Sequence, residues 1–181
     1  MPRALLLGPP GLRELSTSPP TGVSNAELIR WSFEQLNRRD VSALRELWSA
    51  DVVVRFPDRT CRGVDEVAGY FAETFAAVPD MRLEVVSIVE QGDDVFAQWR
   101  LTGTHDGPVQ GIEGTGKPIE LDGIDHFVLR DGRIVSNFVV FDQMQYSRQL
   151  GILPAQDSVG DKAMKSAFNL KTQIAKKLKE R

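Results

Sequence analysis

The spacing of apolar residues changes character near Pro79-Asp80. Before that point it is helical. Leu28, Ile29, Phe33 and Leu36 form a stripe that begins at an S-x-x-E capping box, Ser24 with Glu27, which predicts a first helix. Asn37 to Arg39 turn the chain, and Asp40 caps a second short helix carrying Val41, Leu44, Leu47 and Trp48. Asp51 to Phe56 is β-rich and ends at Pro57-Asp58. A third helix over about 64–77 carries Val67, Tyr70, Phe71 and Phe75. Beyond Pro79-Asp80 apolar and polar positions alternate. Strands are predicted over about 81–90, 94–105, 117–129 and 133–142, with sharp turns at Gly92-Asp93 and Asp131-Gly132. The connection from Asp106 to Gly116 is longer and holds four glycines. A short helix then starts near Asp142 and stops at Gly151 and Pro154. Helices first and a meandering antiparallel sheet after them predict an α+β fold. Its helices lie on one face of a curved sheet, which can cup a pocket against them.

Turn geometry sorts the last two strands into faces. A two-residue turn at Asp131-Gly132 sets Arg130 opposite Arg133, Asp125 opposite Phe138 and Asp142 opposite Leu121. Asp125, Phe127, Phe138, Val140 and Asp142 then share one face; His126, Asn137, Val139 and Phe141 share the other. A β-bulge would overturn this assignment.

Composition adds limits. The chain has 181 residues, enough for one domain with a core, and a net charge of −3, which argues against nucleic acid as a partner. Charge is unevenly placed: residues 161–181 carry a net +5 and the rest −8. Residues 1–22 hold five prolines and three glycines without a period and read as a flexible leader. Residues 155–181 read as an appended basic amphipathic helix, with Met164, Phe168, Ile174 and Leu178 at helical spacing. The domain between them spans 23–154. No segment approaches the length of an integral membrane span. A single cysteine, Cys61, excludes an internal disulfide and fits a cytoplasmic location. Arg59 and Arg62 beside it can lower its pKa, yet an incidental role is favoured. Two histidines far apart in sequence argue against a zinc site.

An ordered set of short motifs carries a resemblance. T-G-T-H-x-G at Thr102 to Gly107 is followed by G-T-G-K at Gly114 to Lys117, D-G-R-I at Asp131 to Ile134, Asp142, and Q-L-G-x-L-P at Gln149 to Pro154. Over about residues 24–154 the set resembles the SnoaL-like polyketide cyclase family, a branch of the nuclear-transport-factor-2-like superfamily. The resemblance implies a cone-shaped α+β barrel with an apolar pocket, a homodimer, and no cofactor or metal. It implies ring closure of polyketides by intramolecular aldol condensation, with an acid/base aspartate at the position of Asp142. The strand Ser136-Asn137-Phe138 lacks the tryptophan of typical members, and the nearest histidine to the family's helper position is His126.

These readings give candidate site residues. An aldol cyclisation needs a base for a carbon acid and then an acid for the new alkoxide, and one aspartate with a raised pKa serves both. Asp142, beside Phe138, Val140 and Phe141, is the catalytic candidate; its alternative is N-capping the next helix. His105, Trp31, Asp125, Phe138, Tyr70 and Phe127 are candidates for contact with an apolar, carbonyl-bearing small molecule. Each of them also has a structural alternative in the core or at the surface. A non-catalytic member of the same fold, binding a ligand or a protein, remains the second reading. Epoxide hydrolysis ranks third, since neither Asp125 nor Asp142 has an arginine two positions away.

Overall fold

The structure is a computed structural model, and it describes residues 18–179. Most of the leader expected over 1–22 therefore lies outside the described residues. The first helix, α1 (Asn25–Arg38), starts where the capping box places it. Ser24 Oγ accepts from the Glu27 amide, and the Glu27 carboxylate accepts from the Ser24 amide at 2.9 Å. It ends on Arg39 in the left-handed region at φ 60°. Asp40 then caps α2 (Val41–Leu47), accepting from the Ala43 amide at 3.0 Å. Trp48, expected on this helix, instead opens β1 (Trp48–Arg55). A three-residue strand, β2 (Thr60–Arg62), is too short for alternation to reveal. It leads into α3 (Gly63–Ala77).

Four long strands follow: β3 (Arg82–Gln91), β4 (Asp94–His105), β5 (Lys117–Arg130) and β6 (Arg133–Phe141). They form one open six-stranded sheet in the order β2-β1-β6-β5-β4-β3. All neighbours are antiparallel except β1 and β6, which run parallel. The helices cover one face, with α1 against β3 and α3 against β1. The core between the layers includes Ile29, Leu44, Leu47, Val52, Val67, Leu129 and Ile134, all buried. Strand β5 shows why the sheet curls over them. Its odd positions from Ile119 to Leu129 are buried, and its even positions face outward. This is the expected α+β fold, with the sheet open rather than closed into a barrel.

The Asp131-Gly132 turn has both residues at positive φ, 51° and 71°, as a two-residue hairpin of this twist requires. Arg130 faces Arg133 as expected. The pairing then slips. Leu129 is opposite Ile134, but Val128 is opposite Ser136, so Val135 is an unpaired bulge. The face assignment made from the turn alone is corrected from there on. Asp125 lies opposite Val139, and Asp125 and Phe127 share the inner face with Asn137 and Val139. Phe138 and Val140, expected beside Asp125, point outward with 43% and 48% exposure.

After β6 come α4 (Gln143–Leu150) and α5 (Val159–Lys179). The base of α5 is tied down by Asp161, which is wholly buried. It accepts from the Asp157 amide at 3.1 Å and from Lys165 at 2.6 Å, 3.8 Å from Arg148. Beyond that anchor Phe168, Leu170, Ile174 and Leu178 are exposed. No helix among the described residues is long and apolar enough to cross a membrane.

Candidate active site

The helical layer and the concave face of the sheet enclose a cavity of about 940 Å³. Leu101, Ile119, Leu121 and Phe141 form its sheet wall, and α3, α4 and the loop 108–112 close it. The loop is seated by glycines: a Cβ on Gly107 would lie 2.1 Å from the Ala76 carbonyl oxygen, so only glycine fits. His105 is wholly buried at its base, where Nδ1 accepts from the Thr115 amide at 3.3 Å. His105 therefore fixes the loop rather than lining the cavity.

One carboxylate, Asp125, lies behind the cavity wall, in contact with Trp99. Trp99 on β4 pairs with Gly123 on β5, and the missing side chain at Gly123 is the space its indole fills. The ring lines the large cavity and donates from Nε1 to Asp125 Oδ1 at 2.9 Å. Asn137 Nδ2 donates to Asp125 Oδ2 at 3.1 Å, while Asn137 Oδ1 has no partner. Burial pushes the Asp125 carboxyl up to about 6, against the opposing pull of the bonds from Trp99 and Asn137. A second space of about 30 Å³ lies beside Asp125, between Ser32, Phe33 and Phe127. The indole of Trp99 borders the large cavity and holds the carboxyl that faces the small one.

The remaining candidates disperse. Asp142 is exposed and caps α4, its Oδ1 accepting from the Met144 and Gln145 amides at 2.9 Å each. Trp31 is buried in the core on α1. Phe127 is buried edge-on against Phe33. Phe138 is corrected to the outer face, where the Arg55 guanidinium lies 4.5 Å over its ring. His126 is also outside, stacked on Phe96 and 2.6 Å from Asp94. Burial pushes the Cys61 thiol up despite Arg59, so it is not an activated nucleophile. Tyr70 does line the cavity, stacked on Phe56 with ring centres 3.5 Å apart. Among the described residues no group of three or more metal-ligating side chains is gathered.

Sequence reasoning missed Trp99, Asp58, Gln110 and Tyr146. Asp58 reads as a turn residue after Pro57, yet its carboxylate faces the cavity beside Tyr70 and Gln110. Trp99 gives a signal only once β4 and β5 are in register, since its partner is a glycine.

The profile described as SnoaL-like polyketide cyclase matches residues 26–150. Among solved structures, a candidate SnoaL-like polyketide cyclase from Jannaschia sp. CCS1 superposes with a TM-score of 0.67 at 22% identity, covering 72% of this chain and 93% of that one. AclR, a candidate hydroxylase from Streptomyces galilaeus, gives 0.65 at 27% identity over 72% and 97%. IdmH, a candidate polyketide cyclase from Streptomyces antibioticus, gives 0.62 at 29% identity over 71% and 99%. No curated protein matches the chain.

Proposed function

This chain belongs to the SnoaL-like polyketide cyclase family, and on that premise we propose that it binds an apolar, carbonyl-bearing small molecule in the cone and moves a proton on it. The reaction is an intramolecular aldol cyclisation or a related isomerisation. The acid/base role goes to Asp125 rather than Asp142. The observation that supports this is the Trp99–Asp125–Asn137 set, in which Trp99 borders the large cavity and holds the carboxyl that faces the small one. A carboxyl pushed up to about 6 both accepts and returns a proton near neutral pH. Asp142 is engaged by two backbone amides and exposed, which suits a cap and not a base.

In the cyclisation Asp125 takes a proton from the carbon next to a ligand carbonyl. The enolate carbon forms a bond to a second carbonyl of the same molecule, whose oxygen becomes an alkoxide. Asp125 returns the proton to that oxygen. For contact, the ligand displaces the Trp99 N–H from the carboxylate and joins the two spaces that the indole divides.

The test follows hydrogen exchange at the α carbon of an aryl β-keto ester in D2O by NMR. Wild type is expected to exceed the buffer rate, and Asp125→Asn to lose roughly 10²–10⁴-fold of that excess. An Asp125→Asn variant as fast as wild type removes Asp125 from the mechanism. A second reading, binding without turnover, is favoured by the enclosure of Asp125, both of whose oxygens are already bonded. It predicts that wild type binds the keto ester without accelerating exchange.

The dimer that the family resemblance implies belongs with this proposal. Phe96, Ile124, Phe138 and Val140 give the outer face of the sheet an exposed apolar row suited to self-association. Light scattering on the purified chain tests it, and a monomer at micromolar concentration refutes it. The buried, unpaired Cys61 is compatible with a reducing cytoplasm.

A further inference from the structure

Polar groups collect at one part of the cavity wall, around Asp58. Its side chain is 16% exposed. Oδ2 accepts from Gln110 Nε2 at 2.9 Å, and Oδ1 lies 3.5 Å from the Tyr70 hydroxyl. The Arg59 Nε is 3.7 Å away. Glu73, the other carboxylate facing the cavity, is bonded directly by Arg59 Nη2. Asp58 holds a long ion pair with Arg59, a weak tyrosine contact and one amide from a loop. That amide is borne by Gln110, itself at positive φ of 50°.

We propose that Asp58 is a specificity-determining residue that accepts a hydrogen bond from a hydroxyl group of the ligand, which takes the place of the Gln110 amide. The inference rests on the cavity reading above and adds to it one polar contact that selects ligands bearing a hydroxyl group at that wall. Charge decides between a hydroxyl and a cation. The Arg59 guanidinium already stands beside Asp58 and lies 4.7 Å over the Tyr70 ring, so an added ammonium group meets repulsion. A hydroxyl exchanges one neutral donor for another at no cost in charge. Shape agrees. Tyr70, backed by Phe56, and the edge-on Phe141–Tyr146 pair border the same space, and flat rings pack well against such walls. Burial and the Asp58 charge raise the pKa of both Tyr70 and Tyr146, so both hydroxyls stay protonated and available to ligand oxygens.

Two probes that differ in one group test this by calorimetry: 6-hydroxy-2-acetonaphthone and its 6-methoxy ether. Wild type is expected to bind the hydroxy probe at least about tenfold more tightly. Asp58→Ala is expected to cut that preference below about threefold, mainly through the hydroxy probe. Gln110→Ala, which removes the competing donor, is expected to tighten the hydroxy probe several-fold and leave the ether unchanged. A merely structural Asp58–Gln110 bond predicts the reverse: Gln110→Ala weakens both probes alike. That result, equal binding of the two probes by wild type, or equal losses in Asp58→Ala, overturns the proposal while leaving the cavity reading intact. Failure of wild type to bind either probe overturns both.

Discussion

Replacing Asp125 with asparagine separates the charge of this residue from its shape. The carboxyl rises from an ordinary 3.8 to about 6 on folding. At 1.36 kcal/mol per pKa unit, that rise costs the folded state about 3 kcal/mol when the group must ionise. The folded state binds the proton more tightly than the unfolded chain does. Its contribution is therefore fully present below pH ~4 and is lost as pH rises through 6. The substituted amide carries no such loss. It can also keep both bonds: its oxygen accepts from Trp99, and its NH2 group donates to Asn137 Oδ1 once Asn137 turns over. That oxygen has no partner in the wild type. Asp125→Asn should therefore gain about 3 kcal/mol relative to wild type between pH 4 and pH 8, levelling off above pH ~7. In a chain of this size the gain appears as roughly 6–12 °C in Tm. The assay is urea unfolding of both proteins at a series of pH values. Taking the difference cancels carboxylates such as Asp80 and Asp122, held below their usual range by Thr104 and Arg100. A difference that stays flat with pH shows that Asp125 titrates alike in both states, and the reasoning fails.

Other substitutions probe the same architecture. Asp142→Ala removes the cap of α4 and should cost about 1 kcal/mol in denaturant melts while α-hydrogen exchange of the keto ester persists. Gly123→Ala places a Cβ 2.2 Å from Trp99 Cζ2, so the indole must shift; a loss of about 1–3 kcal/mol and altered tryptophan fluorescence are expected. Trp99→Phe keeps an aromatic wall but deletes the N–H that pulls the Asp125 pKa down. The carboxyl should then titrate above about 6 in carbon-detected NMR, and an unchanged or lower value contradicts the assigned bond.

Local chemistry was legible in the sequence and long-range geometry was not. The Ser24–Glu27 box and the Asp40 cap involve residues three apart, and both form as read. The Asp131-Gly132 turn sets the register of its first pairs for the same reason. The bulge at Val135 lies where the pairing of β6 with β1 also breaks, between Trp48 and Val53, so it depends on a segment some eighty residues upstream. Asp125 was named as a site candidate, but its raised pKa needs burial beneath the indole of Trp99, which only the β4–β5 register delivers. Asp142 offered two roles, and the cap is the one its oxygens perform.

The bulge also decides where β6 tolerates a change of length. Val135 has no partner on β5, so removing it joins Ile134 to Ser136 and leaves every later pair in place. Adding or removing one residue anywhere from Asn137 to Val140 exchanges the inward and outward sets beyond that point. Asn137 or Val139 would then meet solvent, and Phe138 or Val140 would press into the cone. Relatives that vary in length along this strand should therefore do so at Val135, where a deletion leaves the Asn137–Asp125 contact undisturbed.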